Sequence, residues 1–244
     1  NDWVKAHEMT DKEAAHSSYF GIFDLCGIPK DRYYLYKSYW KPEETTVHIL
    51  PHWNWTGKEG TNVPVFVYTN GDCAELILNG KSLGKKCKIP ESKNSVERFR
   101  LMWNDVKYEP GELKAVAYKD GLEIGKSVMK TAREPDQIRL TPDRTTILSD
   151  GSDLSYILVE ALDKKGNLCP LADNLITIKV TGPGAIAGVG NGNPQSLEPF
   201  QANKIHLFYG KAMVIIRAGH KPGEIGVNAE SEGLSPEMIK ISAK

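Results

Sequence analysis

The sequence predicts a mainly β protein: two antiparallel β-sandwiches with a short helical N-terminal appendage. Three observations lead there. Short apolar runs recur between Asn-Gly, Pro-Gly and Asp-Gly pairs, aromatic residues crowd the first forty positions, and no βαβ alternation appears anywhere in the 244 residues.

The aromatic stretch holds Trp3, Tyr19, Phe20, Phe23, Tyr33, Tyr34, Tyr36, Tyr39 and Trp40. Thr10 with Glu13 has the form of a capping box and starts a short helix, and Asp31 is placed to cap a second helix that Lys41-Pro42 ends. Tyr33, Tyr36 and Trp40 then share one side at helical spacing. A helix this short is marginal alone, so its aromatic side must lie on something larger, and within this chain that is the next domain.

From about Thr45 the period changes to that of strands. Val63 to Tyr68, Ala74 to Leu78, Glu97 to Trp103 and Leu113 to Tyr118 are separated by Asn70-Gly71, Asn79-Gly80, Pro110-Gly111 and Asp120-Gly121. Asn-Gly and Asp-Gly accept the positive φ angles of two-residue hairpin turns, and the regular spacing implies a sandwich. After the polar linker Ala132-Arg133-Glu134-Pro135 a second set follows: Gln137 to Leu140, Leu154 to Leu162, Leu175 to Val180, Ala212 to Ala218, Glu224 to Ala229 and Met238 to Ser242. Gly182-Pro183-Gly184 and Gly188 to Gly192 read as a long irregular connection ending in a turn; no βαβ unit surrounds them, so a dinucleotide loop is rejected. The expected division is 1–44, 45–133 and 136–244.

Composition narrows the function classes. Lysine plus arginine equal aspartate plus glutamate at 31 each, which leaves no net field for nucleic acid or an anionic membrane surface. No stretch approaches the roughly 20 apolar residues of a membrane span. Cys26, Cys73, Cys87 and Cys169 form no zinc spacing, and no metal or other cofactor is expected. Cys73 and Cys87 are nearly symmetric about Asn79-Gly80, so a hairpin there permits either a cross-strand disulfide or two free thiols in the sheet. His48 and His52 have the spacing of a helical metal pair, but Pro51 and the strand-like surroundings speak against one. No nucleophile elbow or hydrolase triad is readable.

The His52-Trp53-Asn54-Trp55 cluster is the best candidate for ligand contact. Indole faces stack on sugar C–H surfaces, while imidazole and carboxamide groups bond hydroxyls. Burial of the indoles beside the first sandwich explains the same residues as well. Asn54-Trp55-Thr56 fits a glycosylation acceptor, relevant only in a eukaryotic secretory pathway.

Several segments in fixed order resemble glycoside hydrolase family 2, in particular its β-galactosidase-like members. They are Ser17-Ser18-Tyr19-Phe20-Gly21-Ile22-Phe23-Asp24-Leu25-Cys26-Gly27 with Pro29-Lys30-Asp31-Arg32-Tyr33-Tyr34; His48 to Trp55; Asn79 to Gly84; Tyr108 to Tyr118; and Gly190-Asn191-Gly192-Asn193-Pro194. The stretch from Leu140 to Asn167 is similar to bacterial immunoglobulin-like domains, which gives both sandwiches an immunoglobulin-like expectation.

The resemblance implies that residues 1–44 are the closing stretch of a catalytic barrel and that the two catalytic glutamates precede Asn1. Glu8 and Glu13 do not take their place, so no catalytic residue is expected and the chain alone is expected to be inactive. It implies a noncatalytic region of a retaining hydrolase acting as scaffold, interface or rim of the substrate cleft. The implied partners are the remainder of that hydrolase, reached through Tyr19, Phe20, Tyr33 and Tyr36, and carbohydrate. The parent is expected in the bacterial periplasm or outside the cell. A self-sufficient carbohydrate-binding module and an adhesion-like immunoglobulin pair are the alternatives.

Overall fold

The computed structural model describes residues 20–244. The expected capping box of Thr10 and Glu13, and Tyr19, lie outside them. Two compact units are present: Pro29–Thr131, and Ala132–Lys244 together with residues 20–28.

The first unit opens with helix α1 (Asp31–Trp40), followed by β1 (Val47–Leu50), β2 (Val65–Thr69), β3 (Cys73–Leu78), β4 (Lys81–Cys87), α2 (Ser95–Phe99), β5 (Leu101–Trp103), β6 (Glu112–Lys119) and β7 (Leu122–Lys130). A three-stranded sheet, β1-β2-β5, and a four-stranded one, β4-β3-β6-β7, are both antiparallel. Alternation puts Ala74, Leu76 and Leu78 of β3 inward, where they join Val65, Val67, Leu101, Leu113 and Ala115 in one core. Each large side chain so buried contributes about 1.5–3 kcal/mol.

The hairpin turns arise as the residue pairs dictate. Asn79 and Gly80 (φ 49° and 80°) link β3 to β4, and Asp120 and Gly121 (φ 51° and 81°) link β6 to β7. The first hairpin sets Cys73 opposite Cys87, and the two form a disulfide. Asn70-Gly71 is different, because β2 and β3 belong to different sheets. There the Asn70 carboxamide accepts from Thr46 N–H (2.9 Å) and donates to Pro42 and Glu44 carbonyls, tying down the chain that enters β1.

Two expectations in this unit are corrected. Residues 97–99 are not strand: Asn94 caps α2 by accepting from Val96 N–H at 2.9 Å, and only Leu101–Trp103 pairs with β2. In α1, Asp31 is a first-turn residue rather than the cap, and the buried side is Leu35 and Ser38, not the Tyr33, Tyr36, Trp40 side. Tyr36 and Trp40 stack on each other at 4.9 Å, leaving Trp40 72% exposed. Small Ser38, whose hydroxyl donates to Leu35 C=O, allows the close approach that bulky rings would prevent.

The second unit contains β8 (Gln137–Pro142), β9 (Thr146–Ile147), β10 (Leu154–Leu162), β11 (Leu175–Thr181), β12 (Gly184–Gly190), β13 (Lys204–His206), β14 (Lys211–Ala218), β15 (Gly223–Ser231) and β16 (Leu234–Ala243). The layers β12-β14-β10-β8 and β16-β15-β11-β13 meet at the single pairing Ser235–Gln137, and β9 runs parallel to β16. Ile157, Val159, Val214 and Ile216 of one layer share a core with Ile176, Ile178, Ile225 and Val227 of the other. The segment expected as irregular, 184–190, is strand β12, paired with β14 and offset between Ile186 and Gly188. Its glycines conceal it from a hydrophobicity pattern and are needed for approach: a Cβ on Gly184 would stand 2.7 Å from Ile225 Cδ1.

The linker is bound into this unit. Asp163 receives Arg133 N–H on one carboxylate oxygen (3.0 Å) and Lys165 and Asn167 N–H on the other, closing the Asp163–Asn167 turn.

Candidate functional site

The His52–Trp55 segment follows β1 and is fixed largely by main-chain acceptors. Trp53 is fully buried, donates its indole N–H to Glu109 C=O at 3.0 Å and meets Tyr108 edge-on at 5.2 Å. The Thr131 hydroxyl donates to Trp53 C=O at 2.6 Å. Asn54 is buried as well. Trp55 is half-buried: it donates to His52 C=O at 2.8 Å, its ring stacks on the His52 imidazole at 4.6 Å, and Lys58 Nζ lies 5.1 Å from the ring. Thus the two indoles point into different surroundings, and Trp55 with His52 carries whatever ring surface this segment offers solvent. Burial pushes the His52 pKa down, with the Asp31 carboxylate acting the other way, so the ring favours its neutral form. Sequence reasoning missed Tyr108, Glu109 and Thr131 as the residues that hold Trp53, because they are distant in sequence.

His48 is not joined with His52 around a common point. Its Nε2 lies 2.8 Å from Asp31 Oδ1 and its ring stacks on Tyr34 at 3.9 Å, which docks α1 on β1. Among the described residues no group of three His, Cys, Asp or Glu side chains gathers as a metal site would require. Of the expected interface residues, Phe20 is 63% exposed and belongs to the unit of Ala132–Lys244, whereas Tyr33 and Tyr36 are half-buried in the other.

Residues 20–28 form a compact loop organised by Asp24. Its Oδ1 accepts from Cys26 N–H (2.8 Å) and Ile28 N–H (2.9 Å), while Asp24 N–H donates to Ile28 C=O at 3.1 Å. The loop lies on the turn after β12: the Asp24 carboxylate fills the place a side chain on Gly192 would need, and a Cβ on Gly190 would stand 3.0 Å from Cys26 Sγ. Burial, then the Asp24 charge, pushes the Cys26 thiol up to about 11 despite a hydrogen bond from the Gly192 backbone. It is therefore no nucleophile near neutrality. The buried Cys169 thiol is likewise pushed up to about 11, first by its own burial.

A shallow hollow of about 720 Å³ lies over Asn174, Leu175, Thr177, Lys179, Glu230, Ser231 and Glu232. Lys179 bonds the Glu230 carboxylate at 2.6 Å and holds it below its usual range, with Asn228 on the other oxygen. A carboxylate held ionised in this way accepts hydrogen bonds but has no proton to give a leaving group.

Comparison with known proteins agrees with these motifs. Residues 138–240 match the model of glycoside hydrolase family 2 C-terminal domain 5, and residues 60–125 match a domain of unknown function, DUF4982. The chain is 47% identical over 231 residues to the β-galactosidase BoGH2A of Bacteroides ovatus, covering 94% of the chain and 26% of that protein. A β-glucuronidase of Formosa agariphila is 28% identical over 91% of the chain and 22% of its own length. Among solved structures, a β-glycosidase from Bacteroides vulgatus superposes with a TM-score of 0.87 at 33% identity, over 94% of this chain and 28% of its own. The chain thus spans about a quarter of the length of these relatives. With the ordered motifs, the paired sandwiches and the C-terminal domain all in agreement, the chain belongs to glycoside hydrolase family 2, as a C-terminal region of its β-galactosidase-like members.

Proposed function

We propose that this region is a noncatalytic accessory part of a retaining β-galactosidase-type hydrolase, serving as scaffold, interface or rim of the substrate cleft. The observation that supports it most is that the chain aligns along 94% of its length with only 26% of the Bacteroides ovatus β-galactosidase. The parent would cleave a terminal β-linked sugar, a galactoside or a glucuronide, with two carboxyl groups about 5–5.5 Å apart on its barrel. Residues 1–44 are then the end of that barrel, 45–133 the first accessory sandwich and 136–244 the second. The partner is the rest of the hydrolase, met by Tyr19, Phe20, Tyr33 and Tyr36. The Cys73–Cys87 disulfide favours an oxidising compartment and so a periplasmic or secreted parent.

Assay of the isolated chain on chromogenic β-galactosides and β-glucuronides tests this reading, with no turnover expected. Turnover abolished by replacing a carboxylate within residues 20–244 would overturn it. The carbohydrate-binding module keeps one specific support, the Trp55–His52 stack. Calorimetry with millimolar galactose or glucuronate shows heat lost on Trp55→Ala if that alternative is right, and none if the accessory reading is.

A further inference from the structure

We propose that the turn Gly190–Gly192 of the C-terminal sandwich is a preformed seat that positions the loop of residues 20–28, and so sets how the end of the barrel leaves toward the accessory domains. The seat itself is read from contacts within one compact unit; only its bearing on the barrel rests on the accessory reading above.

Two of the family's motifs, far apart in sequence, meet here with complementary shapes. The loop side is tied within itself, because Asp24 Oδ1 takes both Cys26 and Ile28 N–H. The seat side is tied as well. Buried Asn191 donates to His206 C=O at 3.0 Å and reaches Glu198 at 3.4 Å, while its Oδ1 accepts Asn193 N–H at 3.0 Å. Glu198 in turn accepts from His206 N–H at 3.1 Å, so β13 braces the turn from behind. Between the two faces space is short: at Gly192 (φ 72°) the Asp24 carboxylate stands where a Cβ would go, and at Gly190 a Cβ would stand 3.0 Å from Cys26 Sγ, so that the sulfur would have to give way. Glycine is thus favoured by contact at both positions and, at Gly192 alone, by backbone conformation as well.

Cys26 lies in the contact and reports on it without any added probe. Iodoacetamide labelling of the native chain, read residue by residue by mass spectrometry, measures how often the loop lifts from the seat. Gly192→Ala and Gly192→Val, which leave the Asp24 charge beside the thiol in place, are each expected to speed labelling of Cys26 by about tenfold, while buried Cys169 stays unlabelled and shows that the sandwich is still folded. Gly166→Ala separates seat loss from turn strain, since Gly166 also has positive φ (78°) but nothing within 4 Å of a Cβ. It should leave Cys26 as slow as in the parent sequence. Cys26 labelling at the rate of a free thiol in the native chain, or labelling unchanged in both seat variants, overturns the proposal. These outcomes involve no turnover, so the accessory reading can fail while the seat stands.

Discussion

Cys73 and Cys87, 14 positions apart in sequence, face each other across the β3–β4 hairpin and are covalently joined. The bond closes the open end of a ribbon whose other end is the Asn79-Gly80 turn, and β4 is an outer strand of its sheet. Loop closure of this size stabilises by about 3 kcal/mol, chiefly by restricting the unfolded chain. Reduction, or Cys73→Ala with Cys87→Ala, is expected to lower the urea midpoint of the first sandwich by a corresponding amount and leave the second unchanged. Unfolding with and without reductant measures it, Trp fluorescence following the first sandwich through Trp53, Trp55 and Trp103 and circular dichroism following the second, which has no tryptophan.

Asp163 is expected to make the second sandwich acid-sensitive. Burial alone would raise its pKa, but bonds from the Asn167 side chain and from the N–H groups of Arg133, Asn167 and Lys165 outweigh it and bring the carboxyl to about 2. The folded value lies below the unfolded value, so this stabilisation is complete above about pH 4 and is lost as pH falls toward 2. Asp163→Ala leaves these donors unmatched, costs about 2 kcal/mol at neutral pH and flattens the acid limb. Unfolding curves between pH 2 and 6 show both effects.

The two tryptophans of the His52–Trp55 segment should separate sharply. Trp53→Ala removes a fully buried ring and is expected to cost about 3–5 kcal/mol. Trp55→Ala, which removes a half-buried ring stacked on His52, is expected to cost about 1 kcal/mol. Chemical denaturation of the two variants compares them, and equal losses would contradict the burial described.

His52 adds a pH effect of defined sign. Its folded pKa is pushed below the ordinary histidine value, so its contribution is present above about pH 6.5 and declines as pH falls through the depressed folded value. His52→Phe, which keeps a ring against Trp55, should remove that slope. Thermal unfolding at pH 5 and pH 7.5 is the measurement.

Gly111 and Asn79 are expected to be coupled. Gly111 has φ 144°, and a Cβ there would run into the Asn79 carboxamide, whose Oδ1 accepts Glu112 N–H at 2.8 Å and whose Nδ2 donates to Pro110 C=O at 3.2 Å. Gly111→Ala is expected to cost about 1–3 kcal/mol. Combined with Asn79→Ala the loss should be less than additive, because the obstacle is gone. A double-mutant cycle gives the coupling directly.

Local chemistry explains which features could be read from the chain alone. Asn79-Gly80 and Asp120-Gly121 made hairpins legible because few other pairs accept two successive positive φ angles, and period-two runs such as Ala74 to Leu78 fixed which face is buried. The ordered motifs likewise carried the family. Beyond reach were features that depend on partners distant in sequence. Strand β12 became a strand through β14, and its glycines gave no pattern. Trp53 and Trp55 look equivalent in sequence, yet Tyr108, Glu109 and Thr131 enclose only the first. Whether Cys73 and Cys87 bond depended on the β3–β4 register, and the meeting of Asp24 with Gly192 required the whole second sandwich to be assembled. Turn identity and face are set by steric limits within a few residues, whereas enclosure and docking are set by long-range packing that no local pattern encodes.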